Sequence, residues 1–187
     1  MSDPTQLIRS IADGDRNAFQ ELYTLFSEKV YNTALSYTQN EQDAEEVAQD
    51  VFTSIFKNAK HFKENATVST WVYRITVNMA LNLLKKRKRR FAFISFGDSV
   101  KEKPDFVHPG ILMEHQESAK ALFKVIDSLA AQQKTAFILS FIEDLPRQEV
   151  AEIMDLSLKA VESLLQRGKR NLREKLEKQY PNRRKKK

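Results

Sequence analysis

Residues that break regular structure are scarce in this chain, and they are bunched. The 187 residues contain only four Gly and five Pro, and residues 92–114 hold two of each. Outside that stretch little interrupts a helix, and a turn-rich β-protein is not expected. Hydrophobic residues recur with helical period on both sides of it. The chain is therefore expected to be all-α, with two small helical domains joined by a flexible linker and a helix-turn-helix in the second. The boundaries read as 1–92, a linker at 93–114, 115–180, and a basic tail at 181–187.

Before the linker, a first helix is expected over 3–11, closed by the Ala-Asp-Gly-Asp turn at 12–15. A second covers 16–38, with Phe19, Leu22, Tyr23, Phe26, Val30 and Leu35 near one face. Asn40 is placed to cap the next helix, EQDAEEVAQDVFTSIFKNA, whose acidic first turns suit the helix dipole. The segment HFKENATVS at 61–69 reads as a loop, and 71–90 as a helix. After the linker, helices are expected at 115–129, 132–143, 146–154 and 158–178.

Charge is segregated along the chain. Residues 1–60 carry −5 and residues 61–91 carry +7; 92–114 and 115–158 carry −2 and −3, and 159–187 carry +9. Two basic islands, each preceded by an acidic stretch, suit a polyanion gripped at two places, although composition alone fits a solvated lysine-rich surface and a frayed tail better. There is no Cys, which excludes disulfides and thiolate zinc sites and fits a reducing cytoplasm. No run approaches the ~20 apolar residues of a membrane span, and the first residues lack a signal-peptide pattern. The three His are scattered, and neither a metal-ligand cluster nor a Gly-rich phosphate loop is present, so no enzyme activity and no cofactor are expected.

The stretch WVYRITVNMALNLLKKRKRR at 71–90 sorts into two faces on a helix. Val72, Tyr73, Val77, Ala80, Leu81 and Leu84 form an apolar face. Arg74, Asn78, Asn82 and Lys86 recur every fourth residue as a polar stripe. Asn costs roughly half a kcal/mol against Ala inside a helix. Its paired donor and acceptor suit a base edge or an unstacked base. Spacing alone also allows a merely solvated stripe, with Trp71 in the core. In the second domain, PRQEVAEIMDLSLKAVESLLQRGKRNLREKL has helix-turn-helix spacing, with Pro146 at a first helical position. Val150, Ala151, Ile153 and Met154 face inward on the first helix, Leu156 plugs the turn, and Ser157 caps the second helix. Val161, Leu165, Gly168 and Leu172 line its buried face. Lys159, Glu162, Ser163, Gln166, Arg167, Lys169 and Arg170 face outward, with chemistry that suits a major groove.

These motifs together resemble bacterial sigma factors, specifically the two-domain extracytoplasmic-function (ECF) type of the sigma-70 family. STWVYRITVNMALNLLKKRKRR is similar to its second conserved domain. DAEEVAQDVFTSIFK resembles its helix for binding core RNA polymerase. LAAQQKTAFILSFIEDLPRQEVAEIMDLSLKAVESLLQRGKRNLREKL resembles its fourth domain. The resemblance implies a protein that binds core RNA polymerase, directs it to promoter DNA and melts the minus-ten element. By position it implies minus-ten contacts from Lys63, Asn65, Thr67, Ser69, Arg74, Asn78, Asn82, Lys85 and Lys86. It implies minus-thirty-five contacts from Arg147, Lys159, Glu162, Ser163, Gln166, Arg167, Lys169 and Arg170. It places Asp43, Glu46, Gln49 and Asp50 on the polymerase-facing side, and it implies an anti-sigma factor as a further partner. The chain departs from the family where Glu64 stands for a common Gly, Val68 for an aromatic and Asp155 for a Gly. Glu162 and Leu164 stand where basic residues are frequent. The alternative reading is a free-standing helix-turn-helix regulator with an N-terminal effector or dimerisation domain.

Overall fold

The first three helices of this chain start on short polar side chains, and their boundaries follow them closely. A computed structural model describes residues 3–94 and 116–179, which fall into two compact units divided between His108 and Pro109. Among the described residues all regular structure is helical. The first unit contains α1 (Pro4–Ala12), α2 (Arg16–Thr38), α3 (Glu41–Asn58), a 3₁₀ turn at Ala59–His61, and α4 (Val68–Ile94). The Asp3 carboxylate accepts from the Thr5 amide at 3.1 Å, and Asp15 accepts from the Asn17 and Ala18 amides at 2.7 and 3.2 Å. Asn40 Oδ1 accepts from the Asp43 amide at 2.9 Å, satisfying one of the orphan donors at the start of α3.

Helices α2, α3 and α4 pack pairwise, and α1 lies against α2 and the 3₁₀ turn. Leu22, Ala34, Ala44, Val51, Ile55 and Ala80 have no solvent exposure. Small Ala at three of those positions, one on each of the long helices, suits close packing. Tyr23 departs from the expected apolar face of α2: it is 44% exposed. It follows the buried Leu22 by one residue, which on a helix turns it about 100° away. Trp71 is half-buried, its ring 5.1 Å from that of Phe62.

The second unit contains α5 (Gln116–Asp127), α6 (Ala131–Phe141), α7 (Arg147–Met154) and α8 (Leu158–Gln179). Its core is built from Phe123, Ile126, Ala136, Ile138, Leu139, Val150, Ala151, Val161, Leu164, Leu165 and Leu172. Leu164, which stands where the family often has a basic residue, is part of that core. Lys134 is buried, and its ammonium donates to Asp127 Oδ1 at 2.6 Å, so α6 carries a satisfied charge inside. Pro146 precedes the first helical residue of α7 as its N-cap rather than occupying N1. Most of the predicted linker, and all of the tail 181–187, lie outside the described residues; residues 93–94 continue α4.

The turn between α7 and α8 is a Schellman motif. Asp155 adopts φ 54°, its amide donates to Glu152 O at 3.2 Å, and the Leu156 amide donates to Ala151 O at 3.0 Å. Ser157 then caps α8, its Oγ accepting from the Ala160 amide at 3.2 Å. Position 155 therefore needs a left-handed backbone that Gly adopts more readily than Asp. Gly168 is the converse case. It lies inside α8, and an added Cβ would meet Gln133 Cβ at an ordinary 3.8 Å. Asp155→Gly and Gly168→Ala are each expected to raise the stability of the second unit by about 0.5–1 kcal/mol. Thermal and urea unfolding of the full chain measures both, and a loss of stability in either variant would contradict the geometry of that position.

Candidate nucleic-acid interface

Helix α4 starts earlier than sequence spacing indicates, because Thr67 caps it. Thr67 Oγ1 accepts from the Thr70 amide at 3.0 Å and lies 2.9 Å from Thr70 Oγ1. Its carbonyl accepts from the Trp71 amide at 3.0 Å. Val68 and Ser69, read as loop, are therefore in the first turn, with Val68 buried and Ser69 half-buried. The hydroxyl of Thr67, expected among the minus-ten contacts, is thus engaged in capping.

The two faces of α4 separate as expected. Val72, Tyr73, Val77 and Ala80 are buried; Leu81 and Leu84 are half-buried. Thr76 joins the core side, its hydroxyl donating to Val72 O at 2.8 Å, which makes its burial affordable. On the opposite side Asn78, Asn82, Lys85 and Lys86 are exposed, and Arg74 is half-buried. In the loop leading into the helix, Lys63 and Asn65 are exposed on either side of Glu64.

The six cations at 85–90 are not equivalent. Arg87 turns back toward α3 and forms an ion pair with Asp43. Asp43 is 7% exposed. This revises the expectation that Asp43 belongs to an outward acidic surface: its carboxylate is committed inside the unit. Glu46, Gln49 and Asp50 remain exposed on α3. Gln49 also lines a cleft of about 370 Å³ with Tyr23, Ser27, Glu28, Tyr31, Glu45, Ala48 and Phe52. Partial burial, then the carboxylates of Glu41 and Glu45, push the Tyr31 phenol above its ordinary pKa. Exposed Tyr23 and Phe56 extend this surface, Tyr23 against Phe52 at 4.6 Å and Phe56 against Phe19 at 5.3 Å. Sequence reasoning assigned these rings no surface role, although an aromatic next to a core position was the available signal.

In the second unit, Lys159, Glu162, Ser163, Gln166, Arg167, Lys169 and Arg170 are all exposed on α8. Several already have local partners. Arg147 lies 3.6 Å from Glu162, so the acidic departure is offset by a neighbouring cation. The Ser163 hydroxyl donates to Lys159 O at 2.9 Å, and Arg167 Nε donates to Ser163 O at 3.2 Å. Lys169 sits over the Phe141 ring at 4.4 Å, a cation–π contact that sequence spacing does not reveal. Gln166 and Arg170 complete the outward set.

Comparison with known proteins bears on both units. The family model for Sigma-70 region 2 matches residues 22–90, and that for Sigma-70 region 4 matches 119–172. The chain belongs to the sigma-70 family, among its ECF-type sigma factors. It is 26% identical over 176 residues to the ECF RNA polymerase sigma factor SigW of Bacillus subtilis, covering 90% of this chain and 94% of that one. It is 28% identical over 173 residues to the ECF RNA polymerase sigma-E factor of Escherichia coli K12, covering 87% and 88%. In fold it is similar to the sigma factor RpoE of Bartonella quintana, solved with the anti-sigma factor NepR. That match has TM-score 0.67 and 20% identity, and covers 85% of this chain and 96% of that one.

As a sigma factor the protein serves promoter-specific transcription initiation, and the free-standing regulator is set aside. The family is not an enzyme family. Among the described residues, no helix is long and apolar enough to cross a membrane. The two kinds of cation on α4 of this sigma factor are expected to separate experimentally. Arg87→Ala should cost about 1–3 kcal/mol of stability, because it strands a nearly buried carboxylate. Lys86→Ala should leave stability within about 0.5 kcal/mol and reduce the salt slope of DNA binding by about one unit. Unfolding curves and salt-titrated DNA affinity read both effects. Unchanged stability in the Arg87 variant would refute its structural role.

Proposed function

We propose that the first unit binds core RNA polymerase and opens the minus-ten element, while α8 of the second reads the minus-thirty-five duplex. The observation that carries this is the exposed stripe Asn78, Asn82 and Lys86 on a helix whose other face is core. Such a helix presents base-reading amides in fixed register, beside exposed cations that suit phosphates. Arg74 and Lys85 flank the stripe, and Lys63, Asn65 and Ser69 lie in the approach to the helix. The partners of Arg147, Arg167 and Lys169 are exchangeable surface contacts, which a phosphate can replace.

The acidic and aromatic cleft between α2 and α3 suits a polymerase helix, with Gln49 in its lining and Glu46 and Asp50 exposed on the same helix. Docking there leaves α4 outward for DNA. The protein works without a catalytic centre or cofactor of its own, in the cytoplasm, where polymerase and promoter are found. An anti-sigma factor is the further partner, and the similarity to a sigma factor solved with one supports this. By this division of labour, 1–92 and 115–180 are the two working domains, and 93–114 and the tail 181–187 are accessory to them.

Asn78→Ala tests the minus-ten assignment. Core polymerase binding should be unchanged, while permanganate reactivity of minus-ten thymines falls about tenfold or more, the scale of one lost base contact. Normal reactivity in this variant would remove Asn78 from strand opening.

A further inference from the structure

The loop at 62–67 has one backbone position that its residue does not favour. Glu64 adopts φ 56°, a left-handed conformation that is costly for a long side chain without local hydrogen bonding to its own backbone. Its carboxylate is held by a residue far away in the sequence. Arg9 Nε donates to Glu64 Oε1 at 2.7 Å, and a second guanidinium nitrogen donates to Oε2 at 2.7 Å. The fork is bidentate, which fixes orientation as well as distance. Arg9 is carried by α1, capped by Asp3, with Leu7, Ile8 and Ile11 buried around it. Helix α1 also packs on the 3₁₀ turn that leads into the loop. The loop is thus tied to the rigid part of the unit at both its entry and its bend.

We infer that Arg9 is a positioning residue for minus-ten base selection: through Glu64 it fixes the bend that sets Lys63 and Asn65, without touching DNA itself. This rests on the assignment of that loop to the minus-ten element. Glu64 here does by an ion pair what a glycine does by lacking a Cβ. The pair lies at the surface, with side chains 58% and 42% exposed, so its value is geometric rather than a large contribution to global stability. The hydrogen bond and charge of Arg9 hold the Glu64 carboxyl below its ordinary pKa, and Glu64 holds the Arg9 guanidinium above its own. A carboxyl depressed in the folded state stays ionised at neutral pH, and its contribution is lost only as pH falls through that lowered value.

The test is run-off transcription with core polymerase on four promoters that differ only in the base at the selected minus-ten position. Arg9→Ala is expected to compress the ratio between best and worst base by about threefold or more. Core polymerase affinity and unfolding temperature should stay unchanged. The charge swap Arg9→Glu with Glu64→Arg should restore the ratio in part. Glu64→Gly, which takes the left-handed backbone unaided, should make the ratio insensitive to Arg9→Ala. An unchanged ratio in Arg9→Ala, or an equal fall on all four promoters, would overturn the inference. If the unaltered protein shows no base preference at that position, the loop assignment itself fails, which is a separate result.

Discussion

In the proposed function helix α4 is a wall of the first unit's core and a recognition face at once, and the packing of that unit allows both. Its period puts Val72, Val77 and Ala80 inward while Asn78 and Asn82 stay in solvent. The face would be of little use if the helix could roll. Burial of Val68, Val72 and Val77 opposes that, and so does the Arg87–Asp43 pair near its basic end. Spending one of six cations inside the unit leaves the other five outward, on a helix whose orientation is held by α3.

Interactions within a turn or two were legible in the sequence. Asp15 and Asn40 mark helix starts through the hydrogen bonds their side chains accept, and the break at 12–15 follows from Asp-Gly-Asp chemistry. The stripe on α4 and the outward set on α8 are matters of period. Interactions between distant residues were not legible. Asp43 has the composition of an ordinary dipole-favoured acid, and only its partner 44 residues later makes it internal. Glu64 and Arg9 are 55 residues apart, and nothing local announces the pair. Lys169 over Phe141 is likewise a product of packing between α6 and α8. The early start of α4 is a local miss: the Thr67 hydroxyl captures the Thr70 amide and begins the helix.

The charge map acquires a structural explanation. The acidic first sixty residues include carboxylates that cap helices, one that anchors α4 and others around the α2–α3 cleft. Among the described residues, most cations of the two basic islands lie on α4 and α8, whose opposite faces are core. Segregation along the chain is thus segregation by face. The two units fold around separate cores, so each can present a cationic helix without building a single charged surface within one domain.

The most direct measurement is run-off transcription from genomic fragments by purified core polymerase, with and without the protein. Discrete RNA start sites that depend on the added chain are the predicted result. No defined start site, or the same sites in its absence, would contradict the claim that these two cationic helices direct polymerase to promoters.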